Sequence, residues 1–181
     1  LARDYDADGD TDIAAVSYFP NYNKSPRESF VYFENKDGKY TANTFRTCIS
    51  GRWLTMDAGD VDGDGDLDIV TSEFNDRPQV LVSSLAQLHD IHYLKVRLEG
   101  SRSNRDGLGA TVKVHAGGMV YTRYADGKSG YLSQSAAPLY FGLGDATEIE
   151  KIEVLWPSGT EQVMSAAVPM NTDLVMREPT E

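Results

Sequence analysis

Beyond residue 89, apolar and polar side chains alternate one by one. Leu94, Val96 and Leu98 alternate with Lys95 and Arg97; Ala110, Val112 and Val114 alternate with Thr111, Lys113 and His115; Ile152, Val154 and Trp156 are separated from one another by single residues, as are Lys151 and Glu153. A period of two puts neighbouring side chains on opposite faces, so each run predicts a strand with one face in a core and the other in water. Antiparallel sheets have that character. Turn formers punctuate the runs at Arg105-Asp106-Gly107, Ala116-Gly117-Gly118, Asp126-Gly127 and Trp156-Pro157-Ser158-Gly159. Many short strands with regular turns predict a β-sandwich over 89–181.

Upstream, the pattern is shorter and more apolar. Ile13-Ala14-Ala15-Val16-Ser17-Tyr18 and Ile69-Val70-Thr71-Ser72-Glu73-Phe74 read as buried strands. Phe30-Val31-Tyr32-Phe33-Glu34 is a further strand, followed by the hairpin signal Asn35-Lys36-Asp37-Gly38 and a returning strand over 40–45. Gln79-Val80-Leu81-Val82 occupies the same place in a second copy. Helix is confined to a turn at 83–88, which doubles as the linker between two domains, 1–88 and 89–181. The chain is predicted to be all-β.

What precedes the buried strands carries the chemistry. Asp4-Tyr5-Asp6-Ala7-Asp8-Gly9-Asp10-Thr11-Asp12 and Asp60-Val61-Asp62-Gly63-Asp64-Gly65-Asp66-Leu67-Asp68 share the pattern D-x-D-x-D-G-D-x-D. Carboxylates at this density repel unless a hard cation sits among them, and Ca2+ accepts six to eight oxygen ligands. Two Ca2+ sites are expected. In the first, Asp4, Asp6, Asp8 and Asp12 donate side-chain oxygens and Asp10 its backbone carbonyl. In the second, Asp60, Asp62, Asp64 and Asp68 do so, with the Asp66 carbonyl. The Asp10 and Asp66 side chains are expected to point away as solvated carboxylates. The glycine at the sixth position permits the sharp turn that returns the ninth residue to the ion. An EF-hand needs a Glu at the twelfth position and flanking helices; here Ala15 and Thr71 stand there, and strands follow.

Composition narrows the functional classes. The formal net charge of −11 argues against a nucleic-acid partner, and no apolar run is long enough for a membrane span. The lone Cys48 cannot form an intrachain disulfide and reads as a small buried hydrophobe. The chain starts at Leu1 rather than Met, so it reads as cut from a longer protein, with any signal peptide expected upstream.

The Asp loops running into Asp-Ile-Ala-Ala-Val and Asp-Ile-Val-Thr-Ser resemble FG-GAP/VCBS repeats, the calcium-loop blades of β-propellers. The later part resembles the ASPIC/UnbV domain of cartilage acidic protein-like sequences. That likeness rests on His92-Tyr93-Leu94-Lys95-Val96-Arg97-Leu98-Glu99-Gly100, Ser103-Asn104-Arg105-Asp106-Gly107-Leu108-Gly109-Ala110, Gly130-Tyr131-Leu132-Ser133, Phe141-Gly142-Leu143-Gly144 and Val154-Leu155-Trp156-Pro157-Ser158-Gly159. The resemblance implies a partial β-propeller followed by an antiparallel β-sandwich-like domain. It also implies calcium-dependent structure, an extracellular or periplasmic setting, and adhesion to a protein or glycan of the matrix or cell surface, without catalysis. A propeller closes only with several blades, and fewer than two full ones are present. The alternatives are a self-associating subunit of an extracellular layer or filament, or an accessory domain of a secreted polysaccharide-active enzyme.

Other residues invite sharper readings that their surroundings do not support. His89 and His92 lack a third ligand nearby and read as surface or linker residues. Ser158 lies in a turn without nucleophile-elbow surroundings. Asn104 is expected to cap a turn and Arg105 to pair with a carboxylate. Trp53, Tyr121, Tyr124 and Tyr131 are expected to fill strands rather than form a sugar platform. Asn23-Lys24-Ser25 fits a glycosylation acceptor, a motif that also arises by chance.

Overall fold

A computed structural model describes residues 1–21, 23–48, 51–128, 133–165 and 168–180. The chain divides into two compact units. The first comprises Leu1–Asp6, Asp10–Leu88 and Lys128–Ser135, and the second Ala7–Gly9, His89–Gly127 and Ala136–Glu181.

The first unit holds two antiparallel meanders. Strands β1 (Ala2–Arg3), β2 (Asp12–Val16), β3 (Phe30–Lys36) and β4 (Lys39–Asn43) form one sheet in sequence order. Strands β5 (Trp53–Gly59), β6 (Asp68–Glu73) and β7 (Gln79–Leu81) form the other, followed by the short helix α1 (Leu85–Leu88). The first meander has the four strands of a propeller blade, and the second has three. The Asp loops are the connections of the first hairpin of each, since Arg3 pairs with Asp12 and Gly59 with Asp68. The β3–β4 turn is made by Asp37 and Gly38, at φ +53° and +79°, the two positive values that match the twist of a tight hairpin. Phe30, Cys48 and Trp53 are buried at the centre of this unit, with the Phe30 and Trp53 rings 6.5 Å apart.

The second unit is a sandwich. Strands β8 (Tyr93–Glu99), β9 (Thr111–Ala116), β10 (Met119–Tyr124), β11 (Leu139–Gly142), β12 (Ile149–Leu155), β13 (Glu161–Met164) and β14 (Thr172–Arg177) form two sheets, ordered β10-β9-β12-β13 and β11-β8-β14. Leu94 and Val96 from one sheet and Val112, Val114, Ile152 and Val154 from the other share a single core. The alternation in the sequence is thus the two inner faces of the sandwich. One pairing departs from the antiparallel expectation: β14 runs parallel to β8, Thr172 opposite Leu94 and Arg177 opposite Glu99. Parallel partners need a long crossover, and here all the intervening strands supply it.

The C-terminal end of β14 is tied down by one carboxylate. Glu178, 3 % exposed, accepts the backbone N–H groups of Ser101, Arg102 and Ser103 at 2.9, 2.8 and 2.7 Å. It also accepts the hydroxyls of Ser103 and Ser158. Burial pushes its pKa up, but the hydrogen bonds from Ser158, Ser103, Arg102 and Ser101 outweigh it, and the pKa falls from 4.5 to about 2. A depressed folded-state pKa means that this stabilisation is complete above the unfolded value and fades as pH falls from there towards 2. Glu178→Gln should therefore melt lower than the parent at pH 7, and the gap should narrow as pH drops below about 4.5. Thermal scans of both proteins across that range check this; a gap independent of pH would refute the assignment.

Candidate metal centres

The two Asp loops fold alike. The sixth-position glycines Gly9 and Gly65 have φ +98° and +102°, a region that side chains with a Cβ avoid. The fourth positions are also left-handed: Ala7 at +59° and Gly63 at +86°. The same two reversals fold each loop back on itself. In the first loop Asp4, Asp6 and Asp8 each present a carboxylate oxygen, all within 4.8 Å of one another. In the second, Asp60, Asp62 and Asp68 do the same. Each set offers oxygen donors only, which suits a hard cation of the Ca2+ type.

The electrostatics point the same way. Desolvation raises the pKa of Asp62, the Asp64 N–H pulls it back, and the neighbouring Asp64, Asp68 and Asp60 carboxylates raise it further. Asp66 is likewise raised, by burial first and by Asp64 and Asp68 after the opposing bonds from Ala86 and Ser83. A divalent cation would relieve this repulsion.

The loop carboxylates also have partners within the protein. Asp12, fully buried, accepts the N–H of Tyr5 at 2.9 Å, the N–H of Asn35 at 2.8 Å and the hydroxyl of Tyr32 at 3.0 Å. Burial, then Asp12 and Asp6, push the Tyr32 pKa up, so its hydroxyl remains a donor. Asp68, its counterpart, accepts the N–H of Val61 and that of Ser83, both at 2.8 Å. At the seventh position Asp66 overturns the expectation of a solvated side chain, while Asp10 stays partly solvated. Asp66 is 1 % exposed and accepts the N–H of Ala86 at 2.9 Å. Asp10 is half-buried and accepts the N–H of Asp37 at 2.9 Å. Segments folding back from beyond β3 and β7 bring donors to these carboxylates and cover Asp66. Asp64 accepts from the Gln87 side chain.

Tyr32, Asn35, Ser83, Ala86 and Gln87 were not singled out by the sequence. Asn35 and Ala86 reach these carboxylates through a backbone N–H, which every residue but proline has, whereas Tyr32 and Gln87 use side chains and Ser83 uses both. Elsewhere the plain readings of Asn104, Arg105 and Trp53 fit, whereas Tyr124 does not fill the core and His92 is partly buried. His92 bonds the Gly144 carbonyl at 3.1 Å. Asn104 brackets a turn through both the N–H and the C=O of Leu108, and Arg105 pairs with Asp106 at 3.0 Å. Trp53 is buried, Tyr121 donates to the Leu143 carbonyl, and Tyr124 is exposed; Tyr131 lies outside the described residues.

Two family models match the chain. Residues 4–71 match an FG-GAP-like repeat, and residues 100–181 match ASPIC and UnbV. No curated protein matches it.

Proposed function

We propose that this chain, an FG-GAP-like repeat followed by an ASPIC/UnbV domain, is a non-catalytic recognition module of the extracellular or periplasmic space whose Asp loops are held by Ca2+. The observation that carries the reading is the repetition: two hairpin loops of one pattern, each gathering three carboxylates within 4.8 Å. An ion at each site converts repulsion into cross-linking of the first and second strands of a blade, so its binding energy becomes folding energy. The family match and the all-β architecture support a secreted setting, and adhesion to a protein or glycan of the matrix or cell surface is the role such a module serves. The one serine in a tight turn that invites a catalytic reading has structural partners: the Ser158 hydroxyl donates to Glu178 and accepts the Thr160 N–H.

Calorimetry with Ca2+ and with EDTA tests the reading. At a free Ca2+ concentration of about a hundred times Kd, each site should add about 2.7 kcal/mol of stability. EDTA should reverse the gain. Identical melting curves in the two conditions would remove the metal from the proposal.

A second reading, self-association, draws on the outer strands. All of β4 is exposed, and Val80 of β7 and the adjacent Val82 are 49 % and 59 % exposed. Open edges of this kind pair with other strands. A rise in mass by light scattering when Ca2+ is added would favour assembly over monomeric adhesion.

A further inference from the structure

The seventh and ninth carboxylates of each loop reach the same place in both repeats. In the first repeat, Asp12 and Asp10 take the N–H groups of Asn35 and Asp37, at the end of β3 and in its tight turn. In the second, Asp68 and Asp66 take those of Ser83 and Ala86, just beyond β7. The chain there does not return as a fourth strand. It turns into α1 and leaves the unit at Leu88. Gln87, one residue further on, donates its side-chain amide to Asp64. Three consecutive acidic positions of the second loop therefore hold one exit segment, Ser83 to Gln87.

The two loops gather different positions: the first, third and fifth in the first loop, and the first, third and ninth in the second. In the second, Asp68 belongs to the carboxylate set that gathers within 4.8 Å, whereas in the first that set is Asp4, Asp6 and Asp8, without Asp12. One side chain thus faces both the candidate ion and the exit segment: its Oδ1 takes the Ser83 N–H, and its Oδ2 takes the N–H of Val61 inside the loop. Asp66, outside that set, adds negative charge beside it. Asp66 is 1 % exposed, and its Oδ1 has no hydrogen-bond partner while its Oδ2 holds Ala86. A buried carboxylate oxygen without a donor is costly unless positive charge compensates it.

We propose that the second Asp loop is a calcium-sensitive clasp on residues 83–87: loading of Asp60, Asp62 and Asp68 fixes Asp68, and Asp68 with Asp66 fixes the exit segment. This rests on the proposed Ca2+ binding. The segment has little else to order it. The described residues of α1 include no buried side chain, and the helix is only four residues long, far too short to be stable by itself. Without the ion, repulsion among Asp60, Asp62, Asp64 and Asp68 spreads the loop and slackens its grip. With it, the backbone donors of Ser83 and Ala86 stay engaged.

Titration calorimetry combined with amide hydrogen exchange on the full chain tests the clasp, with CaCl2 as the probe. Ca2+ should slow exchange of the Ser83 and Ala86 amides by about tenfold or more, and change Asn35 and Asp37 less. Ala86→Pro removes the donor to Asp66 at a first-turn position where proline is tolerated. By linkage it should weaken calorimetric Ca2+ binding by no more than the factor by which Ca2+ slows exchange in the parent, so that binding stays measurable, and it should lose the slowing over 84–88. Binding in the parent without slower exchange at Ser83 and Ala86 would overturn the clasp and leave the metal reading standing. No Ca2+ binding would overturn both.

Discussion

Replacing Trp156 with alanine should cost the second unit about 3–5 kcal/mol, the range for removing a buried aromatic from a close-packed core. Trp156 is 1 % exposed and belongs to the cluster shared by the two sheets. Its indole N–H donates to the Gln162 side-chain oxygen at 2.9 Å, so truncation also strands that acceptor. Little can move in to fill the space. Gly107 sits at φ +63°, and a Cβ there would come within 2.6 Å of Leu98 and 3.3 Å of the Trp156 ring. The surrounding backbone is built around the indole. Trp156→Phe separates the two contributions: it keeps most of the volume, loses the hydrogen bond, and should cost about 1–2 kcal/mol. The alanine variant leaves Trp53 as the one tryptophan, a fluorescence reporter confined to the first unit. Circular dichroism read beside that fluorescence during urea unfolding gives the loss in the second unit. A cost under about 1 kcal/mol would mean that the sandwich core is loosely packed around this ring.

The parts of this architecture that were legible in the sequence are those governed by local period and local turn chemistry. Leu94, Val96, Val112, Val114, Ile152 and Val154 alternate in the sequence and line one core in the structure, because a strand's period of two converts sequence order directly into face. The sharp return at Gly9 and Gly65 was legible for the same reason: one residue type suits that backbone. Strand β5 was hidden. Its pairing with β6 shifts register between Trp53 and Thr55, and such a bulge breaks the alternation of Trp53, Met56 and Ala58. The parallel pairing of β14 with β8 was hidden because the choice of partner is a long-range decision that neither strand's pattern contains. The burial of Asp66 was missed likewise. Its loop position marks it as polar, but only the chain folding back from β7 to α1 covers it and gives it a donor.

Asp68→Ala should be the most damaging change in the second loop, and the damage should survive removal of calcium. Asp68 is fully buried, and its two oxygens satisfy two backbone donors, those of Val61 and Ser83. Alanine leaves both N–H groups without an acceptor, and since both bonds are only part-buried each loss costs about 1 kcal/mol. A loss of about 2 kcal/mol is therefore expected in EDTA, where no metal contributes. Asp62 provides the contrast. It stands in the same carboxylate set but is exposed, and the bond it takes from the Asp64 N–H is long, at 3.3 Å. Asp62→Ala should leave the EDTA melting temperature nearly unchanged and abolish most of the shift on adding Ca2+. Asp68→Asn should lie between the two, since an amide oxygen can still accept one of the two N–H groups but brings no charge to an ion. The three variants thus separate the ligand role of a carboxylate from its role in closing the hairpin. Should Asp68→Ala melt with the parent in EDTA, the ninth residue of the loop would be a ligand alone, and the hairpin's closure would have to come from its strands.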